Sequence, residues 1–293
     1  MAISRTAQYV ALYRALESCE PRRAPLFRDP FAPGFLSPQL AWVVRLARRA
    51  SLRRVLEGYA DFRAPGARSS AIARTRFIDD VVRREIAAGS RQLVIFGAGF
   101  DCRAHRLPEL RGVRVFEVDR PDTQRQKREI LEQTADAQRS PDVTYVPLDL
   151  LREDIASALG RAGWAPAARC TFLCEGLSNY LSEASVKKLL RCVGSSAPES
   201  VLAFSYVHSG VLDGSTRFAG DDTVLRNVRR LGEPWSFGLD PRELEPYFAD
   251  FGLNVEEDVG ADEYRRRYLD QKRTHWGGYT FYRLVIARVR GST

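Results

Sequence analysis

The chain has 293 residues, 44% of them hydrophobic and 28% charged, and its formal net charge is +8. This length is enough to bury a substantial core, as one large domain or two small ones. The balanced composition excludes a collagen-like, disulfide-scaffold or wholly disordered protein. Because no run of 18 apolar residues occurs, we expect no membrane-spanning helix.

The positive charge comes almost entirely from arginine, since only four of the 45 basic residues are lysines. The arginines are scattered among acidic residues, which favours a solvated face over a nucleic-acid site. The five cysteines and three histidines show no metal-ligand spacing, so no metal site is expected. Residues 1–20 lack a basic segment followed by a continuous apolar stretch, and we therefore expect a cytoplasmic protein with reduced thiols.

The first ninety residues show helical periodicity, and the remainder alternates between strands and helices. Helices are predicted over 4–19, 38–58 and 68–88, followed later by 121–137, 151–161, 182–196, 240–249 and 260–270. Strands are predicted over 92–96, 113–119, 143–148, 170–174, 200–207, 253–258 and 280–289. The alternation predicts an α/β fold with a mostly parallel sheet, and an antiparallel edge is expected from the final pair of strands.

The organisation predicted from these elements is a single domain, with a helical cap or lid segment over 1–90 that belongs to the same domain as the ligand-binding part over 91–293. About 45 residues separate the strand ending near 207 from the one starting near 253. That gap is longer than an ordinary connection, so we expect an insert over about 208–239 that covers a pocket.

A glycine-rich turn follows the first strand, at Gly97-Ala98-Gly99. Glycines let the backbone turn tightly and approach a ligand, and such a turn lies at the ligand crevice of a doubly wound sheet. The nicotinamide fingerprint requires a third glycine, which this sequence lacks. Strand two ends with Glu117 and Asp119, and an acid at that position can bind the two hydroxyls of a ribose. Both acids remain candidates from the pattern alone.

Two further strand ends carry acids. Asp149, followed by Leu150, ends strand three and could accept a hydrogen bond from adenine or cap the next helix. Glu175 follows strand four. Four strand ends therefore converge on one cleft that suits a positively charged nucleoside such as S-adenosylmethionine. Arg74, before strand one, could bind the carboxylate of that ligand as a bidentate fork.

The chain resembles the leucine carboxyl methyltransferase family, and more closely its bacterial branch of S-adenosylmethionine-dependent O-methyltransferases, which includes carboxyl methyltransferases of polyketide pathways. The blocks that carry the resemblance occur in the expected order: Thr6-Ala7, 14–32, 73–80, 96–107, 116–127, 146–150, 174–181, 232–239 and the C-terminal strand. The residues after strand five, 205–208, depart from the family pattern, which leaves the acceptor contacts open.

The resemblance implies a class I methyltransferase (Rossmann-like) fold, with a seven-stranded, mostly parallel sheet, an antiparallel edge strand and an added helical N-terminal segment. It implies that Arg74 binds the carboxylate of S-adenosylmethionine and that Asp119 binds its ribose hydroxyls. Gly97 and Gly99 would let the backbone approach the ligand closely. Asp149 and Leu150 would frame the adenine, and Glu175 would lie near the amino group.

The expected reaction is methylation of a small acidic molecule, which as a carboxylate needs no general base. If the acceptor were a hydroxyl, His208 is the candidate base. Tyr180, Tyr206 and Trp235 are candidates for the wall of the acceptor pocket. The alternatives are a protein C-terminal carboxyl methyltransferase, a nicotinamide-dependent oxidoreductase and a non-catalytic binding module.

Overall fold

The computed structural model describes residues 5–19, 24–63, 66–134, 143–268 and 278–291. The strands are β1 (Gln92–Phe96), β2 (Arg114–Asp119), β3 (Val143–Pro147), β4 (Cys170–Cys174), β5 (Val201–Val207), β6 (Leu253–Val259) and β7 (Tyr282–Val289). The helices are α1 (Arg5–Ser18), α2 (Pro38–Ala47), α3 (Ala50–Arg63), α4 (Ala67–Ala87), α5 (Arg103–Arg106), α6 (Pro121–Glu132), α7 (Ile155–Arg161), α8 (Glu183–Gly194), α9 (Ser209–Asp213), α10 (Asp221–Arg230), α11 (Leu244–Ala249) and α12 (Ala261–Tyr268). The predicted start at residue 4 and the predicted end at residue 270 lie outside the described residues. The helix predicted to reach 137 ends earlier, because α6 stops at Glu132 with a C-cap at Gln133.

The strands form one seven-stranded sheet in the order β3-β2-β1-β4-β5-β7-β6. Strands β1 to β5 pair in parallel, and β7 pairs antiparallel with both β5 and β6. The predicted α/β fold with a mostly parallel sheet is confirmed. One detail needs correction: the antiparallel strand is β7, which lies one position inside the edge, and the edge strand β6 runs parallel to β1–β5.

The two faces of the sheet explain the continuous apolar runs in β1 and β4, whose residues are all buried. Side chains alternate between the faces along a strand, so Val94 and Phe96 enter one core and Leu93 and Ile95 the other. The second core is completed by α4, since Phe77 and its apolar neighbours pack against the sheet. Helix α4 therefore flanks the sheet, and the division of the domain near residue 90 stays a prediction.

Several predicted helices have different bounds; the one predicted over 240–249, for example, starts at Leu244. The helix predicted over 38–58 is divided into α2 and α3, because the backbone of α2 ends with a C-cap at Arg48. The helix predicted over 151–161 begins four residues later, because the Asp154 carboxylate caps it by accepting a hydrogen bond from the Ser157 N–H (2.7 Å). Capping by Asp154, rather than Asp149, decides where α7 starts.

The connection between β5 and β6 contains α9 and α10, which the sequence pattern did not predict. Val211 of α9 packs with Phe281, and Trp235 lies against the same cluster. The connection thus covers the ends of β5 and β7. Among the described helices, none is both long and apolar enough to cross a bilayer.

Candidate functional site

The glycine turn after β1 packs against Leu177, a side chain of the turn that follows β4. The Gly97 N–H donates to the Val118 carbonyl (2.8 Å), which ties the turn to the end of β2. Gly97 has φ +61°, and a Cβ there would lie 2.9 Å from Leu177 Cδ1. Only glycine combines that backbone conformation with that close approach. The turn therefore presents bare backbone at the carboxyl edge of the sheet.

The acid that meets this turn is Asp119. One of its carboxylate oxygens accepts from the Gly99 N–H (2.6 Å) and the other from the Arg120 N–H (2.7 Å). Burial raises the pKa of Asp119 above its usual value, although both hydrogen bonds oppose this. Glu117 is fully buried and pairs with Lys127 (Oε2–Nζ 2.7 Å). Of the two acids left open by the sequence, Asp119 is the one at the glycine turn.

Arg74 and Glu175, 101 residues apart in sequence, form a buried ion pair at the same edge. Arg74 Nε donates to Glu175 Oε1 (2.8 Å). Within the described residues, Nη1 and Nη2 of Arg74 have no hydrogen-bond partner. Its guanidinium lies 4.6 Å from the ring centroid of Tyr282, which holds it in place. Two donors of a fixed fork are thus left for a ligand.

A second arginine, which sequence reasoning missed, binds the other carboxylate oxygen of Glu175. Arg103 donates to Glu175 Oε2 (2.8 Å), to Asp79 (2.8 Å) and to Asp101. Burial raises the pKa of Glu175, but the Arg103 and Arg74 guanidiniums outweigh it and hold that pKa below its usual value. The same arginine, with Lys127, lowers the pKa of Asp101 despite burial. Both carboxyls therefore remain ionised in the cleft.

The network continues outward to the N-terminal helix. Arg106 donates to both oxygens of Asp79 (2.6 Å each) and approaches Asp29 (4.0 Å). Asp29 pairs with Arg14 of α1 (2.9 Å), and Arg14 also donates to the Phe100 carbonyl in the glycine turn. Helix α1 is thus bonded directly to the candidate site.

Two tyrosines near Arg74 were also missed, because they come from the far end of the chain. Tyr282 starts β7, and Tyr264 lies on α12 with only 3% of its surface exposed. The Tyr264 hydroxyl has no hydrogen-bond partner among the described residues. Burial raises the pKa values of both phenols, while the Arg74 guanidinium lowers them. No local motif predicts these contributions, since the packing of α12 against α4 positions Tyr264 and the pairing of β7 with β5 positions Tyr282.

Asp149 and Leu150 follow β3, as predicted, at the same edge of the sheet. Leu150 is buried in the main core, while Asp149 is partly exposed. The Asp149 carboxylate accepts from the Leu151 N–H (3.0 Å) and lies 3.5 Å from the Arg152 guanidinium. Because the remaining face of the carboxylate is solvated, it is accessible to a ligand.

The three candidate wall residues occupy different environments. Trp235 is half-buried and packs beside Tyr282, with ring centroids 6.1 Å apart, so it lies next to the Arg74 end of the site. Tyr180 is half-buried in the turn after β4. Tyr206 is fully buried, and its hydroxyl donates to Asp258 (3.0 Å). The structure brings Trp235 to the site and places Tyr206 in the core.

His208 lies at the end of β5, with its ring 5.0 Å from that of Phe218. Its Nδ1 accepts a hydrogen bond from the Gly210 N–H (3.0 Å). A neutral imidazole with an accepting Nδ1 carries its proton on Nε2. In this geometry the free nitrogen is a donor, which does not suit a general base.

Comparisons with known proteins agree with this architecture. The model of the leucine carboxyl methyltransferase family matches residues 7–194. A Frankia alni protein, named as a candidate S-adenosyl-L-methionine-dependent methyltransferase, is 39% identical over 227 residues (74% of this chain and 72% of the relative). A Mycobacterium tuberculosis protein named in the same way is 32% identical over 299 residues (92% and 82%).

Solved structures show the same fold. A crystal structure of a candidate methyltransferase from Thermobifida fusca superimposes with a TM-score of 0.59 at 18% identity, covering 96% of this chain and 94% of that one. A DUF574 family protein from Streptomyces avermitilis gives 0.57 at 16% identity, covering 94% and 96%. The resemblance noted in the sequence is confirmed, and the chain belongs to the leucine carboxyl methyltransferase family.

Proposed function

We propose that this S-adenosylmethionine-dependent methyltransferase transfers its methyl group to oxygen, and that the acceptor is a carboxylate of a small natural product such as a polyketide. The observation that carries the proposal is the buried guanidinium of Arg74, whose Nη1 and Nη2 have no partner among the described residues and remain free to donate. It lies at the same sheet edge as the glycine turn, where Asp119 accepts a hydrogen bond from the Gly99 N–H. The free cysteines, four of them buried, support a reducing, cytoplasmic setting.

The residues at the sheet edge fit S-adenosylmethionine. Arg74 would bind its carboxylate through Nη1 and Nη2, and Asp119 would accept from the ribose hydroxyls. Each Glu175 oxygen accepts one bond in the structure and has a further lone pair for the ammonium group. Leu177 fills the space beside Gly97, whereas an added Cβ at Gly99 would meet only the Gly97 carbonyl at 3.8 Å, so the backbone at Gly99 would be open to the ligand.

When bound, the cofactor would supply a methyl group on a positively charged sulfur, leaving a neutral thioether while a carboxylate acceptor becomes a methyl ester. The task of the chain is to hold the acceptor oxygen in line at roughly 3 Å. The segment that contains Trp235 covers the site and would exclude water. Water would otherwise stabilise the separate charges of the sulfonium and the carboxylate, and so slow the transfer.

The orientation of His208 supports a carboxylate over a hydroxyl acceptor. A hydroxyl must lose a proton during transfer, whereas a carboxylate is already ionised at neutral pH. The candidate base, His208, uses its accepting nitrogen on the Gly210 N–H. A carboxylate acceptor requires no such base.

The test is incubation with cofactor labelled in the methyl group and a panel of aromatic and polyketide-like carboxylic acids, their hydroxyl analogues and peptides ending in a free carboxyl. The proposal requires transfer to a small acid, and release of the label by mild base shows an ester. Label that resists base indicates an ether and overturns the carboxyl proposal. Transfer to the peptides alone would favour a protein acceptor.

A further inference from the structure

The turn that follows β4 contains an asparagine whose side chain is buried without partners. Asn179, in the 3₁₀ turn Ser178–Tyr180, is 1% exposed. Neither its Oδ1 nor its Nδ2 has a hydrogen-bond partner among the described residues. A buried amide group left unpaired costs about 1–3 kcal/mol. A residue that only filled the core would be apolar at this position. We therefore expect the amide of Asn179 to form its hydrogen bonds with a ligand.

The turn is held rigidly at the edge of the sheet where the cofactor residues lie. Ser178 Oγ donates to the Ser205 carbonyl (2.5 Å), and the Gly176 N–H donates to Ser205 Oγ (2.8 Å). Leu177 of the same turn packs over Gly97. Asn179 is therefore fixed only four residues after Glu175, between the glycine turn and the end of β5.

The covering segment brings a second unpaired donor to the same place. The Ser236 N–H donates to the Asn179 carbonyl (2.8 Å), so the residue before it, Trp235, lies beside the turn. Trp235 Nε1 is buried and has no hydrogen-bond partner in the described part of the chain. Its ring packs on Tyr282, which in turn lies under Arg74. Two unpaired N–H groups thus border the cofactor residues on the side of the cover.

We propose that Asn179 and Trp235 bind the methyl acceptor and determine its class, a carboxylic acid with a neighbouring hydroxyl. This inference rests on the proposed function. Asn179 Nδ2 and Trp235 Nε1 donate to the carboxylate oxygen that does not react. Asn179 Oδ1, which can only accept, accepts a hydrogen bond from the hydroxyl. Neutral donors orient the acceptor without adding a positive charge beside the sulfonium, so the other oxygen keeps its attraction to the methyl group.

The test measures binding of 2- and 3-hydroxybenzoate to the full chain saturated with S-adenosylhomocysteine, with benzoate as the matched ligand that lacks the hydroxyl. In the wild type we expect at least one hydroxybenzoate to bind about tenfold or more tightly than benzoate. Asn179→Leu, of similar shape, should abolish that preference. Trp235→Phe should weaken hydroxybenzoate and benzoate alike, because it removes only the donor to the carboxylate.

Control variants distinguish a loss of acceptor binding from a loss of cofactor binding or of stability. Trp164→Phe makes the same change at a core position beside Phe172 and should bind every ligand as the wild type does. Asn179→Leu should keep the affinity for S-adenosylhomocysteine within twofold and keep or raise the Tm, since it removes an unpaired amide. A fall of several degrees in Tm would mean that the amide has a structural partner, and would overturn the proposal.

Two further results also overturn it: a preference for the hydroxybenzoates that persists unchanged in Asn179→Leu, or no saturable binding of any probe to the cofactor-loaded wild type. Asn179→Asp provides an independent variant of the same shape. Its carboxylate should repel the probes and weaken them by more than Asn179→Leu does. If S-adenosylhomocysteine itself does not bind, it is the proposed function that fails.

Discussion

The guanidinium of Arg74 illustrates how a single residue acquires its role through folding. In the sequence it is one of many arginines on a helix, and periodicity alone indicates a solvated charge. In the structure it is buried, pairs through Nε with Glu175 and retains two unpaired Nη groups. Its assignment to the cofactor carboxylate came from the resemblance of residues 73–80 to the family, and it stays a prediction. Arg103 and Tyr282 lie in blocks that carry the same resemblance, but no role was assigned to them, because their roles depend on contacts made across 72 and 208 residues.

The first prediction concerns Arg74→Ala. Loss of hydrogen bonds to a charged group costs about 1.5–3 kcal/mol, so affinity for S-adenosylmethionine should fall about 10- to 150-fold in titration calorimetry. Affinity for 5′-methylthioadenosine, which lacks the methionine carboxylate, should stay within about twofold. An equal loss for both ligands would show that the substitution disturbs the nucleoside part of the site, and that Arg74 does not bind the methionine carboxylate.

The second prediction separates the two acids of β2. Asp119→Ala should weaken both S-adenosylmethionine and 5′-methylthioadenosine by about 1–3 kcal/mol, because both ligands carry the ribose hydroxyls. Glu117→Gln should leave both affinities unchanged, since that carboxylate is buried against Lys127. Should calorimetry show the reverse, the ribose is bound by Glu117 and the assignment of Asp119 is wrong.

At the scale of elements, strands were predicted more accurately than helix ends. The apolar runs of β1 and β4 are buried on both faces, and their bounds were predicted to the residue. Helix bounds depend on which side chain reaches a free N–H, and for α7 Asp154 does so instead of Asp149. Helices α9 and α10 were missed, because their packing partners come from the distant β7.

The glycine turn yields the third prediction. Gly97→Ala places a residue with a side chain at φ +61° and a Cβ 2.9 Å from Leu177. We expect it to lower the free energy of unfolding by about 2–4 kcal/mol, combining backbone strain with overpacking. Gly112→Ala, at φ +78° in open space, is the matched control and should lose only the strain, about 1–2 kcal/mol.

Urea unfolding measures both variants, and Leu177→Ala provides the background that isolates the steric part. In that background the excess cost of Gly97→Ala over Gly112→Ala should largely disappear. If the two glycine variants lose the same stability with Leu177 present, the close approach between the two turns does not exist.

Across the whole molecule, the buried network from Arg14 to Glu175 links the N-terminal helix to the sheet. The fourth prediction concerns its pH dependence. The pKa values of Asp101 and Glu175 lie below their usual values of 3.8 and 4.5. A carboxyl with a lowered folded pKa stabilises the protein above its unfolded pKa, and this stabilisation disappears as the pH falls through the folded value.

The wild type should therefore lose unfolding free energy steeply below about pH 4.5, whereas Arg103→Gln should show a shallower loss. At pH 7 that variant should be less stable by about 3–5 kcal/mol, because buried carboxylates lose their partner. Urea unfolding between pH 3 and 7 measures both effects. Parallel curves for the two proteins would mean that Arg103 does not hold these carboxyls ionised. Arg114→Gln, at a partly exposed position outside the network, is the control and should run parallel to the wild type.

The most direct test of the whole account is calorimetric titration of the wild-type chain with S-adenosylmethionine, with NADH as the comparison ligand. We expect saturable binding of one S-adenosylmethionine per chain and no saturable heat with NADH. Saturable NADH binding, with no response to S-adenosylmethionine, would contradict the assignment of the glycine turn, Asp119 and Arg74 to a sulfonium nucleoside.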